Sequence, residues 1–212
     1  MKNPTSRPFF MMSNSYVALI DPTATQENAS QRAEALRNGL IAAGIISAQT
    51  STECVFGGVG HLPGPGLSQM YQFDQQFQEG PPELHYWTML RTIGVEIHAE
   101  LWLNIWGFTV FDWTECPVCH RRFPDGHSVL EGLIDAAANF YNQEGTTDVV
   151  CPECGSISEV REWTTRPHLG LSHLAAVFWN WPDFESKGWN VSIPEIASQA
   201  AGVPLVTSFG HV

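Results

Sequence analysis

The chain is expected to fold as an α+β protein, with a mixed or antiparallel sheet, a few helices and an inserted subdomain that contains a helix of its own. Three observations lead there. Apolar runs of strand length recur towards both ends of the sequence, segments with a helical apolar period follow them, and two Cys-x-x-Cys pairs bracket residues 120–150.

The first apolar run, Tyr16 to Ile20, stops at Asp21-Pro22, as a strand entering a turn does. Ala33, Leu36, Leu40 and Ile41 then share one face of a helix, with Asn28 as its cap, Gln31 three residues on and Gly44 as its stop. Residues 45–56 read as a second strand. Residues 57–66 hold so many Gly and Pro that a loop is expected, and this loop matches neither the P-loop nor the dinucleotide fingerprint. Between Gly94 and Phe111 the chain alternates: Val95, Ile97, Ala99, Leu101, Leu103 and Ile105 on one side oppose Glu96, His98, Glu100, Trp102, Asn104 and Trp106 on the other. One long strand or a bent hairpin is expected there, with Gly107 at the bulge or turn. Residues 174–181 form a buried strand stopped by Pro182. Ile193 to Ala201 is a short helix opened by Ser192 and Pro194 and closed by Gly202, and residues 203–208 make a last strand.

Composition narrows the function classes. Of 212 residues, 43% are apolar and only 15% charged, which fits a folded chain and excludes disorder. With 22 acidic against 10 basic residues the formal charge is −12, so the mean field repels phosphate backbones and a nucleic-acid partner is disfavoured. Only Arg121, Arg122 and Arg161 lie near the cysteine pairs. Residues 1–20 make a poor signal peptide, and no apolar stretch approaches the roughly 20 residues a membrane helix needs. A cytoplasmic location is the expectation, with no membrane partner; a homo-oligomer is compatible. A reducing compartment in turn favours metal thiolates over disulfides.

The pairs Cys116-Pro117-Val118-Cys119 and Cys151-Pro152-Glu153-Cys154-Gly155 each have the spacing at which one tight turn aims two sulfurs at a single ion. Pro after the first Cys constrains that turn, and Gly155 permits a positive φ. Together they supply the four soft ligands that zinc prefers. The pairs resemble zinc ribbons and rubredoxin-like knuckles. That resemblance implies a closed structural zinc site on Cys116, Cys119, Cys151 and Cys154, with iron as the alternative metal. The gap between the pairs exceeds the roughly 15–20 residues usual for a ribbon. A helix fills the excess, with Ser128 and Glu131 as its capping box and Leu130, Leu133, Ile134, Ala137 and Phe140 on one face. Cys116 to His120 also matches the C-x-x-C-H signature of haem attachment, and Cys116-Cys119 alone suits a redox dithiol; both leave Cys151 and Cys154 unexplained. A closed four-cysteine site activates no water.

Other candidates stand beside plainer readings. Cys54, with His61, His85 or His98, could form a thiolate–imidazole nucleophile, yet a lone Cys in an apolar stretch is more often a small buried hydrophobe. Glu96, His98 and Glu100 share one strand face at spacings of about 6.5–7 Å, suited to a second metal or to acid–base work only if a further group converges on them, and otherwise a solvated strand face. The tryptophans, including Trp102, Trp106, Trp113, Trp179, Trp181 and Trp189, divide between core and interface.

The expected organisation is a flexible N-terminus over 1–14, an α+β core over 15–113 and 160–212, and a zinc-binding subdomain over 114–159. The leading function is an acidic, zinc-stabilised protein-binding module without catalytic activity. Its charge logic is that of an inhibitor or immunity protein facing a basic partner, and it would bind through Trp102 and Trp106 with Glu96 and Glu100 at the rim. The alternatives are a hydrolase or other enzyme with a site near His61, Glu96, His98 and Glu100, and a nucleic-acid-associated ribbon, which the charge disfavours.

Overall fold

The computed structural model of the chain describes residues 14–56, 58–72, 92–104 and 111–211. The expected α+β architecture is present. Its main sheet is built from β1 (Ser15–Ile20), β2 (Ile46–Ser51), β3 (Gly60–Pro63), β4 (Gly94–His98), β10 (Ala175–Trp179) and β11 (Val206–His211), in the order β11-β1-β10-β4-β3-β2. Every neighbouring pair runs antiparallel.

Strands β1 and β10 lie inside the sheet with both faces covered, which is why they read as unbroken apolar runs. Leu19, Val95, Ala176 and Phe178 face a layer made by helices α1 (Ala29–Ala42) and α4 (Ile193–Ala201), where they cluster with Leu36, Leu40, Ile193 and Ala197. Each such Leu or Phe, fully withdrawn from water, stabilises the fold by about 1.5–3 kcal/mol. Tyr16, Ala18, Ile20, Ala175, Val177 and Trp179 belong to the other face and cluster with Cys54 and Val55. A short helix, α2 (Leu67–Met70), follows β3.

Helix α4 forms as its sequence reads: Ser192 Oγ accepts from the Glu195 amide at 3.3 Å and Gly202 takes a φ of 73°. At α1 the expected cap is not made. Asn28 has a helical backbone, and its Oδ1 accepts instead from the Thr25 amide at 2.9 Å, closing the turn before the helix.

The remaining differences lie in the strands. The strand expected over residues 45–56 ends at Ser51, and Cys54 and Val55 fold back over the sheet's second face. Residues 57–66, expected to be a loop, contain the internal strand β3, in which His61 pairs with Thr50 on one side and Val95 on the other. Glycine here serves close approach and does not break the strand: a Cβ added at Gly60 would come within 2.2 Å of Val55 Cγ1. Within the described part of the alternating segment, residues 94–104, the strand ends at His98, whose partner Ala175 is the first residue of β10. Residues 99–101 have no ladder partner among the described strands. The chain rejoins at Trp102, which exchanges two hydrogen bonds with Ser172 at 2.7 and 3.0 Å, and Leu101 and Leu103 pack in a second cluster. Trp106 and Gly107 lie outside the described residues. The last strand begins at Val206, because Leu205 still donates to Ser198 Oγ in leaving α4.

That second cluster is enclosed by a three-stranded sheet in the order β6-β5-β9, a hairpin and a helix. The sheet comprises β5 (Trp113–Glu115), β6 (Arg122–Pro124) and β9 (Thr164–Arg166); the hairpin is β7 (Asp148–Val150) with β8 (Ile157–Glu159); the helix is α3 (Val129–Asn142). Phe123, Leu130, Leu133, Ala137 and Val149 fill it, and Leu103, Phe111, Trp163 and Leu171 join from outside residues 114–159. The Ser128–Glu131 capping box does not form. The Val129 amide donates to His127 Nδ1 at 3.2 Å, so the cap is one residue earlier. Ile134 is exposed and Ala136 takes the inward position expected of it. Among the described residues no helix is long and apolar enough to cross a membrane.

Candidate functional site

The two cysteine pairs occupy equivalent hairpin turns, one between β5 and β6 and the other between β7 and β8. In each, the first Cys amide donates to the carbonyl five residues on, Cys116 to Arg121 at 3.1 Å and Cys151 to Ser156 at 2.8 Å. Its own carbonyl accepts from the amide four residues on, His120 at 3.0 Å and Gly155 at 2.9 Å. His120 and Gly155 both take a positive φ, 57° and 70°, which turns the chain back so that both sulfurs of a pair share one side.

The four Sγ atoms lie within 4.8 Å of one another, and Cys119 and Cys151 are 3.8 Å apart. A tetrahedral ion bonded to sulfur at about 2.3 Å requires sulfurs about 3.8 Å apart, so four cysteines cluster at metal-binding distance. This convergence accounts for both pairs at once, which neither haem attachment at Cys116-Cys119-His120 nor a lone redox dithiol does. Cys116 and Cys151 are buried in the second cluster, while Cys119 and Cys154 are exposed.

Polar groups reach the sulfurs. The Val118 amide donates to Cys116 Sγ at 3.4 Å, and Ser156 Oγ lies 3.6 Å from Cys116 Sγ and 3.1 Å from Cys154 Sγ. Burial pushes the Cys116 thiol up, but hydrogen bonds from the Cys119 and Val118 backbone, and from Ser156 and Cys151, outweigh it and bring the thiol down to about 6. The hydrogen bond from Ser156 also lowers Cys154. At Cys119 the Arg121 backbone works downward, yet desolvation and hydrogen bonds with Cys154, Cys116 and Cys151 push it up to about 12. A cation bound by the four sulfurs would displace the thiol protons that remain. Ser156 was not legible as a participant, since a Ser two positions after a Cys-x-x-Cys pair carries no signature of its own.

A cavity of about 700 Å³ lies on the second face of the main sheet, and Tyr16, Glu96, His98, Trp102, Tyr141 and Trp179 contribute to its lining. Glu96 is buried; its Oε2 accepts from Trp179 Nε1 at 2.7 Å and lies 3.8 Å from His98 Nε2. Glu100, also part of the lining, is exposed. Trp102 is half-buried and its ring stacks near His98, with centroids 6.4 Å apart. Tyr16 donates to Asn104 Oδ1, and Asn104 Nδ2 donates to Ser208 Oγ at 2.7 Å; burial pushes the Tyr16 phenol up to about 12. Trp179, Tyr16 and Tyr141 were missed as lining residues, because a strand buried on both faces, or the last turn of a helix, gives no sign of which neighbour encloses space.

The other sequence candidates disperse. His61 opposes Val95, lines a separate cavity of about 660 Å³ with Glu34, Arg37 and Ile97, and its Nδ1 lies 2.9 Å from Ser47 O. It is therefore on the α1 side of the sheet, away from the face that Glu96 and His98 share, and the group His61, Glu96, His98 and Glu100 is not assembled. Cys54 is buried beside Glu96, and burial raises its thiol, which suits the small-hydrophobe reading. Glu96 occupies the interior of the cavity and is no rim residue. Trp106 and His85 lie outside the described residues.

Fold and site together define an α+β protein with a four-cysteine cluster and an aromatic, acidic cavity. Compared with protein-family models, curated proteins and solved structures, the chain matches none.

Proposed function

We propose that this chain is an acidic, zinc-stabilised protein-binding module without catalytic activity, which engages a basic partner through the cavity around Glu96 and Trp102. The observation that carries the reading is the lining of that cavity: aromatic rings and two carboxylates, with no Lys or Arg among the described lining residues, in a chain of net charge −12. The four thiolates hold one structural zinc in a ribbon-like arrangement. The protein works in the cytoplasm, where reduced thiols keep the metal.

The test is retention of partners by the immobilised, metal-loaded chain at low and high salt, beside its Trp102→Ala variant. A basic protein should be held by the parent at low salt, released as salt screens the field, and held at least about tenfold more weakly by the variant, the scale of one lost aromatic anchor. An acidic partner, or equal retention by both chains, refutes the reading. Elemental analysis should give zinc at one ion per chain; an iron–thiolate absorption band would change the metal.

One observation favours a second reading. The carboxylate–imidazole pair Glu96–His98, inside a cavity, is the arrangement a general base uses. Turnover of a substrate that both Glu96→Gln and His98→Ala abolish would establish an enzyme instead.

A further inference from the structure

We propose that the cavity is a receptor for a single arginine side chain of the partner protein, with Glu96 as the carboxylate that pairs with its guanidinium. This rests on the protein-binding reading and adds the chemical identity of what enters.

The argument begins with Glu96. It is only 6% exposed, yet among the described residues its carboxylate forms no ion pair with Lys or Arg and accepts one hydrogen bond, from Trp179 Nε1 to Oε2. Oε1 has no such donor among the described residues. A buried carboxylate is costly to desolvate unless it is paired, and this one lines a cavity instead of a packed core. Oε2 has Trp179 and, at 3.8 Å, His98 Nε2 beside it, and a cation entering the cavity supplies the partner that Oε1 lacks among the described residues.

The walls select the kind of cation. Tyr16, Trp102 and Trp179 present aromatic rings, whose faces attract positive charge. A guanidinium is planar, stacks on such rings and donates in its own plane through five N–H groups, so it can lie against an indole and still reach a carboxylate. An ammonium is compact and strongly hydrated, and loses more on leaving water for an aromatic enclosure. The volume, about 700 Å³, accommodates a long side chain with some of its backbone, and the exposed Glu100 places a second carboxylate on the lining. No Lys or Arg of the described lining competes for either carboxylate.

The experiment is a titration of the full, metal-loaded chain with Nα-acetyl-L-arginine methylamide, its lysine counterpart and its citrulline counterpart, followed by tryptophan fluorescence and calorimetry. Citrulline keeps the shape of arginine and removes the charge, so the comparison needs no variant. The arginine amide should bind at least about tenfold more tightly than the citrulline amide, and more tightly than the lysine amide. Glu96→Gln should remove that preference, whereas Glu34→Gln, on the other face of the sheet, should not change it. Equal affinity for arginine and citrulline amides overturns the proposal, as does a stronger response to lysine. A basic partner that is held through Trp102 but not displaced by the arginine amide would uphold the protein-binding reading and overturn the arginine receptor. Binding of the arginine amide by a chain that retains no basic protein would uphold the guanidinium site and overturn the partner.

Discussion

Cys116 and Cys151 have two tasks at once: they bring sulfur to the four-cysteine cluster and they fill the second hydrophobic cluster beside Phe123 and Leu133. Cys119 and Cys154 face solvent and have only the first. Single residues elsewhere carry comparable constraints. His168 is half-buried, its Nδ1 accepts from the Gly170 amide at 3.1 Å, and burial lowers its pKa below the ordinary 6.5. The neutral ring is thus the one the fold holds. As pH falls through 6.5 the unfolded chain gains a proton at His168 that the folded chain does not, so stability is complete above that value and declines below it, by at most about 1.4 kcal/mol per pH unit. Urea unfolding at a series of pH values should show this acid loss in the parent and a shallower one in His168→Asn, whose Oδ1 retains an acceptor but does not titrate. Identical pH profiles would remove His168 from the account.

Helix ends give a sharper contrast between elements. Ser192 has an extended backbone and accepts from the Glu195 amide, while Ser128, with the same residue type and an equally suitable Glu three positions later, already has a helical backbone (φ −57°, ψ −22°) and makes no capping bond. Ser192→Ala should therefore cost about 1 kcal/mol of stability and Ser128→Ala a few tenths at most, measured by chemical denaturation. The pair also shows where sequence reading reaches its limit. Legible elements were those whose signal is local: the apolar runs of β1 and β10, the Pro194 and Gly202 punctuation of α4, and the two Cys-x-x-Cys turns, whose spacing alone places the sulfurs. The illegible ones depend on distant partners. β3 exists because β2 and β4 flank a glycine-rich segment, β4 stops where β10 begins, and Glu96 is buried because Trp179, far along the chain, donates to it. Nothing near those residues announces these partners.

At the scale of the molecule the cysteine cluster and the cavity share structure. Tyr141, in the last turn of α3, and Leu103, a member of the cysteine-bearing cluster, line the same cavity as Glu96 and Trp179 of the main sheet. The second cluster rests on three-residue strands, too short to be stable in water without the helix and the cluster they enclose. Metal binding in four-cysteine sites is worth on the order of 10–16 kcal/mol in isolated modules, so on the proposed zinc-stabilised reading removal of the ion should unfold the layer around α3. The main sheet has its own core on α1 and α4 and should persist. Dialysis against a strong chelator with reductant should thus expose residues 113–166 to protease while β1, β10 and α4 stay protected, and it should abolish ligand uptake in the cavity although Glu96 and Trp179 remain folded in place. Restoring zinc should return both together. Protection of residues 113–166 in chelated protein would refute a structural role for the metal, and unchanged uptake after their digestion would place the cavity's function entirely on the main sheet.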